Sequence, residues 1–148
     1  MPRQQTPAEG LRSFFERFTA LSAVSDISGL AAMYAANVMI AGPNGTQIVT
    51  PNDLLRAIPK RRQLLESAGH RETALVGFEE TPLTDRYALV RAQWRWHFQP
   101  VDGQPLSLTL PSTFVVDQGG DAPQIVVYMN AQDVGGALRE RGRLPSTV

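Results

Sequence analysis

Tyr87-Ala-Leu-Val-Arg-Ala-Gln-Trp-Arg-Trp-His-Phe98 decides the reading of this chain. Ala88, Val90, Ala92, Trp94, Trp96 and Phe98 fall on one face, and Arg91, Gln93, Arg95 and His97 on the other, with Tyr87 and Leu89 leading in. A period of two over this length is a β-strand with one apolar and one mostly polar face. Two indoles on the apolar face make it the floor of a core or a pocket.

Downstream, Val101-Asp102-Gly103-Gln104 is hairpin chemistry, because Asp-Gly tolerates positive φ. Leu106–Val116 returns as the partner strand, with Leu106, Leu108, Leu110, Phe114 and Val116 in phase. Pro111 interrupts it, which calls for an edge position or a bulge. Gly119-Gly120-Asp121 turns the chain into a last strand, Gln124–Asn130. A short helix is expected from Asp133 to about Gly142, with Arg139, Arg141 and Arg143 around its negative end. Upstream, Thr73–Glu79 reads as a strand ended by Thr81-Pro82, and Glu79-Glu80 as a solvated pair near a turn.

The N-terminal half follows helical spacing. Thr6-Pro7-Ala8-Glu9 is a helix start with a capping box, and Leu11, Phe14, Phe15, Phe18 and Leu21 form its apolar stripe. Ser25-Asp26 caps a second helix, with Ile27, Leu30, Ala31 and Tyr34 at helical spacing to about Ala35. Asn37–Ala41 and Thr46–Val49 make a small hairpin around Gly42-Pro43-Asn44-Gly45. Thr50-Pro51-Asn52-Asp53 starts a third helix with Leu54, Leu55, Ile58, Leu64 and Leu65 on its buried side. Pro59 predicts a kink or break within it, Lys60-Arg61-Arg62 a solvated face, and Gly69 its end.

A length of 148 residues bounds the chain to one domain, 1–148, with 1–5 and 145–148 flexible. Fourteen basic and fourteen acidic residues cancel, so no global field attracts nucleic acid or an anionic membrane. A neutral surface instead favours self-association. The absence of cysteine excludes disulfides, thiolate catalysis and cysteine-ligated zinc. Met1–Glu9 lacks the apolar stretch of a signal peptide, and no run approaches a membrane span. The expectation is a cytoplasmic protein. Helices first, then long antiparallel strands, describe an α+β fold with the helices on one face of the sheet.

This order resembles the nuclear-transport-factor-2-like superfamily, also called cystatin-like α+β or SnoaL-like. The resemblance covers nearly the whole chain. It is carried by the phenylalanine-rich first helix, Tyr34-Ala-Ala-Asn-Val-Met-Ile, the Asn44-Gly45 hairpin, the strand through Trp94, and Val126-Val-Tyr-Met-Asn-Ala-Gln-Asp133. It implies N-terminal helices packed in the concave face of a strongly curved antiparallel sheet. It also implies a cone that often holds an apolar pocket, and an outer face that often forms a homodimer. Members include steroid isomerases, polyketide cyclases, dehydratases, epoxide hydrolases and pure binding modules, so fold alone does not choose a function. The matching positions lack the steroid-isomerase residues: Val38-Met39-Ile40-Ala41-Gly42 has no acid and the first helix no tyrosine. Asn37 stands where many relatives have aspartate.

Candidate residues follow. His97 is a possible general base, but alternation places it opposite Trp94 and Trp96 and so outside the cone. His70, at a helix-to-strand junction, reads as a loop residue. Asn130, in phase with Tyr128 and Val126, either orients a ligand oxygen in the pocket or caps the turn that follows. Asp133 reads as a helix cap. Phe14, Phe18, Tyr34, Trp94, Trp96 and Tyr128 are core or pocket wall. No His-x-x-x-His or acid cluster points to a metal, and no cofactor is expected. Two readings stand. One is a small protein that binds a small apolar, oxygenated molecule and transfers a proton on it as an isomerase, cyclase or dehydratase. The other is a non-catalytic homodimeric binding or interaction module with a filled core.

Overall fold

The computed structural model describes residues 7–24 and 26–144, with side chains from Leu11 onward. The cap expected at Thr6, the side chain of its Glu9 partner, Ser25 and both expected flexible ends lie outside what is described.

The first stripe folds as helix α1 (Pro7–Ala23), which buries Leu11 and Phe15 completely. Helix α2 (Ile27–Ala31) starts where Asp26 accepts a hydrogen bond from the Gly29 amide at 2.9 Å. It stops after five residues, so the expected run through Tyr34 to Ala35 is not made. The backbone is instead drawn into a sheet: the Met33 carbonyl accepts from the Ile125 amide at 2.9 Å, and strand β1 (Tyr34–Gly42) begins at the next residue. Strand β2 (Gly45–Val49) folds back on β1 across Pro43-Asn44.

Helix α3 (Pro51–Ser67) carries a complete capping box. Thr50 Oγ1 accepts from the Asp53 amide at 3.3 Å, and Asp53 Oδ2 accepts from the Thr50 amide at 2.8 Å. Pro59 lies inside this helix without dividing it. Four strands follow: β3 (His70–Pro82), β4 (Tyr87–Phe98), β5 (Leu106–Asp117) and β6 (Gln124–Met129). Helix α4 (Val134–Glu140) ends the described chain, and Asp133 caps it through the Gly136 amide at 2.6 Å.

The sheet is curved and unclosed, with strand order β2-β1-β6-β5-β4-β3. The hairpin at Asp102-Gly103 pairs β4 with β5 in unbroken antiparallel register, Tyr87 opposite Asp117 and Phe98 opposite Leu106. Pro111 lies in the part of β5 that β6 does not reach, because β6 pairs only with Thr113–Asp117. An edge there tolerates the missing amide. One pairing departs from the antiparallel expectation: β6 runs parallel to β1, which it joins through contacts far apart in sequence.

The two faces of β4 separate as period two requires. Trp94 and Phe98 are buried, while Arg91, Gln93 and Arg95 are exposed. α1 packs on the inner face over Val90, Trp94 and Phe114, and a second cluster joins α3 and α4 through Leu65, Phe98, Leu108 and Leu138.

Glu80 breaks the expectation of a solvated pair. It pairs with the buried Val90 across β3 and β4, and neither carboxylate oxygen reaches water or a hydrogen-bond partner among the described residues. This burial pushes its carboxyl above the usual glutamate value. An acid whose folded-state pKa is raised contributes stability fully present below the unfolded pKa and lost as pH rises through the folded one. Glu80 therefore opposes folding at neutral pH. Glu80→Met should add about 1 kcal/mol to the unfolding free energy at pH 7. The gain should shrink as pH falls toward 4.5, the ordinary glutamate value. Denaturant titrations at both pH values test this, and a loss of stability at pH 7 contradicts it.

Candidate functional site

The inner face of the sheet does not close on the helices everywhere. A cavity of about 370 Å³ remains between the C-terminal half of α1, helices α2 and α3, and strands β1, β3, β4, β5 and β6. This lies within the size range of small-molecule sites. Phe18, Tyr34, Trp94, Trp96, Phe114 and Tyr128 supply its aromatic wall. Five of these rings form a connected set, in which Phe18 lies 6.1 Å from Tyr34, 6.0 Å from Trp94 and 6.2 Å from Phe114, and Phe114 lies 4.8 Å from Tyr128. The exposed side chains of Arg61, Glu66, Arg71 and Glu72 mark where the cavity meets solvent.

The polar groups come from two ends of the sheet. Tyr34 and Tyr128 stand on the neighbouring strands β1 and β6. Burial pushes the Tyr34 hydroxyl far above the usual tyrosine value; the nearby Tyr128 raises it further, and Arg61 acts against the shift. Tyr34 thus keeps its proton and is available as a hydrogen-bond donor at any physiological pH.

His70 stands on the other side, at the start of β3. Its Nε2 lies 2.8 Å from Thr73 Oγ1, and its ring sits 5.6 Å from Trp96 and 5.5 Å from Phe98. Residues three apart on a regular strand point to opposite faces. Here a β-bulge intervenes: His70 pairs with Phe98 and Thr73 with Trp96, so three steps on β3 match two on β4. The bulge turns both side chains to the inner face. Burial lowers the His70 pKa first, and the charges of Arg62 and Arg61 lower it further, against the raising effects of the Glu72 backbone and Glu66. The imidazole is therefore neutral at pH 7 and able to accept a proton.

The arginines divide in role. Arg62 donates to the Ser22 carbonyl at 2.7 Å and to the Ala23 carbonyl at 3.4 Å, and lies 3.5 Å from Glu66. It ties α3 to the end of α1 and closes that wall. Arg61 lies over the Trp96 ring, 5.4 Å from its centroid, as a cation–π contact. Lys60 and Arg61 are exposed, as expected of a solvated face; Arg62 is the member that departs from it, half-buried and bonded to the end of α1.

The structure gathers Phe18, Tyr34, Trp94, Trp96 and Tyr128 at the cavity and leaves out two expected members. Phe14 turns against Phe15, 5.0 Å away, within the α1 core. Asn130 falls just after β6, where its amide donates to the Ala41 carbonyl at 3.0 Å and its side chain lies near Gly42. It is not a cavity residue. His97 faces the outer side, with Nδ1 3.2 Å from Ser107 Oγ, as alternation required. His70, read as a loop residue, is the histidine of the cavity. Period-two reading could not have found it, because its direction depends on the bulge. No group of His, Asp or Glu able to hold a metal occurs among the described residues, and no helix there is long and apolar enough to cross a membrane.

No family model and no curated protein matches the chain. Solved structures do. The β subunit of benzoate 1,2-dioxygenase from Burkholderia mallei is 16% identical, with a TM-score of 0.70 over 90% of this chain and 99% of that one. An NTF2-like protein with a cystatin-like fold from Novosphingobium aromaticivorans is 18% identical, with a TM-score of 0.68 over 93% and 88%. A ketosteroid isomerase-like protein from Erwinia carotovora atroseptica is 12% identical, with a TM-score of 0.67 over 86% and 97%.

Proposed function

We propose that this chain, whose fold is the NTF2-like, cystatin-like one, binds a small apolar molecule bearing one or two oxygens and moves a proton on it. The observation that carries the reading is the cavity that holds a neutral His70, set by Thr73, together with the protonated, buried Tyr34. An aromatic wall with a few convergent polar groups is how small-molecule sites are built. The two groups have complementary roles. His70 takes a proton from carbon beside a carbonyl, and the electron pair moves onto the carbonyl oxygen. The Tyr34 hydroxyl, with Tyr128 beside it, donates to that oxygen as it gains charge. Return of the proton to another carbon completes an isomerisation; loss of a β-hydroxyl as water completes a dehydration. Neither outcome needs a cofactor.

Hydrogen–deuterium exchange tests this without knowledge of the natural substrate. Enolisable cyclic and aromatic ketones are screened for binding by thermal shift, since a ligand at a hundred times its Kd adds about 2.7 kcal/mol. Those that bind are incubated in D2O and followed by proton NMR. The wild type should catalyse exchange at the carbon beside the carbonyl, and His70→Gln should slow it on the order of 100-fold or more. Because burial holds the His70 pKa below its ordinary value, exchange should be mostly developed at pH 7 and fall as pH drops through that lowered pKa. Ligands that bind without any exchange would favour the non-catalytic module, which the sequence reading expects as a homodimer.

A further inference from the structure

Resting on the reading that this cavity binds a ligand, we infer that the ligand carries a carboxylate and that Arg61 receives it. Three arginines and two glutamates line the cavity. Arg62 is committed to the Ser22 and Ala23 carbonyls and lies beside Glu66. Arg71 occupies the bulge next to Glu72. Neither Arg61 nor Arg71 has a carboxylate within ion-pair distance among the described residues, but Arg61 alone of the three is carried on a cavity ring, with Trp96 supporting its guanidinium from below at 5.4 Å. Its charge is felt inside the cavity, where it favours ionised Tyr34 and disfavours protonated His70.

A guanidinium carried on an aromatic face still offers its in-plane N–H groups, whose spacing matches the two oxygens of a carboxylate. One ring-supported cation beside two glutamates suits a monoanion better than a phosphate dianion. The substrate class is therefore a small aromatic or alicyclic acid. Its ring lies along Trp94 and Trp96, and its carboxylate reaches the solvent-facing rim at Arg61.

Matched pairs decide the matter. The full-length protein is titrated with 2-naphthoate and 2-naphthamide, and with 4-phenylbutanoate and its amide, at pH 7 with indole fluorescence as the readout. The wild type should bind each acid about tenfold or more tightly than its amide, as a charge-assisted bidentate pair requires. Arg61→Gln should erase that preference, leaving acid and amide bound equally, and Arg71→Gln should retain it. Thermal melting checks that both variants are folded. Equal binding of acid and amide by the wild type overturns the inference and leaves the apolar-cavity reading intact. A preference that survives Arg61→Gln also overturns it. Binding of neither acid nor amide overturns both the inference and the reading beneath it.

Discussion

Phe15→Ala should destabilise the protein by about 3–5 kcal/mol, the range for deleting a fully buried phenylalanine. Phe15 is 0% exposed and is the hub of the α1 face. Its ring lies 4.6 Å from Phe114, 5.0 Å from Phe14, 6.0 Å from Phe18 and 6.1 Å from Phe78. Truncation removes transfer energy and leaves a void that those rings, fixed on a helix and two strands, cannot collapse to fill. For a domain of this size the midpoint of thermal unfolding should fall by roughly 10 °C. Phe14→Ala, at a half-buried position on the same helix, should cost clearly less. Equal losses at the two positions would contradict the packing described for α1.

Gly69→Ala should be nearly as damaging, for a different reason. Gly69 joins α3 to β3 at φ +84, a region that costs a residue with a Cβ about 1–2 kcal/mol. A Cβ there would also lie 2.6 Å from the Pro100 nitrogen and 2.7 Å from the Gln99 carbonyl carbon and oxygen. These are backbone atoms, and the Gln99 amide already donates to the Gly69 carbonyl at 2.8 Å. Nothing flexible can give way, so the total should reach about 3 kcal/mol or more once overpacking is added. Gly142→Ala is the control: φ is +69 there, but nothing lies within 4 Å of the added carbon, so only the conformational cost applies. Gly69→Ala should also weaken ligand binding, because His70 is the next residue. A Gly69 variant no less stable than the Gly142 variant would show that the α3–β3 junction is not built this way.

What the sequence made legible was local. The β4–β5 hairpin follows from alternation and Asp102-Gly103, and the caps at Thr50 and Asp133 follow from short side chains bonding nearby amides. The inner and outer faces of β4 were also legible, and with them the outward direction of His97. What escaped depended on partners distant in sequence. Tyr34 sits at helical spacing from Leu30, yet Ile125 draws the preceding backbone into the sheet and the tyrosine becomes a cavity residue of β1. His70 points inward only because of the bulge at β3, and nothing in His70-Arg71-Glu72-Thr73 announces a bulge. Arg61 is as exposed as a solvated helix residue, and only the fold shows that Trp96 lies beneath it. Asn130 shares the phase of Tyr128 but lies one residue beyond the end of β6, where strand alternation no longer sets its direction.

The central claim is that the aromatic cavity, with His70 inside it, is the ligand site. The chain holds two tryptophans and two histidines, and that arithmetic makes one measurement direct. Both indoles line the cavity, whereas His70 lies within it and His97 outside. In heteronuclear NMR spectra recorded while a binding acid or ketone is titrated, both indole N–H signals and the His70 ring signals should shift together and saturate at one Kd. The His97 ring signals should stay fixed. A ligand that saturates the protein while moving His97 and leaving His70 and the indoles in place would contradict the account.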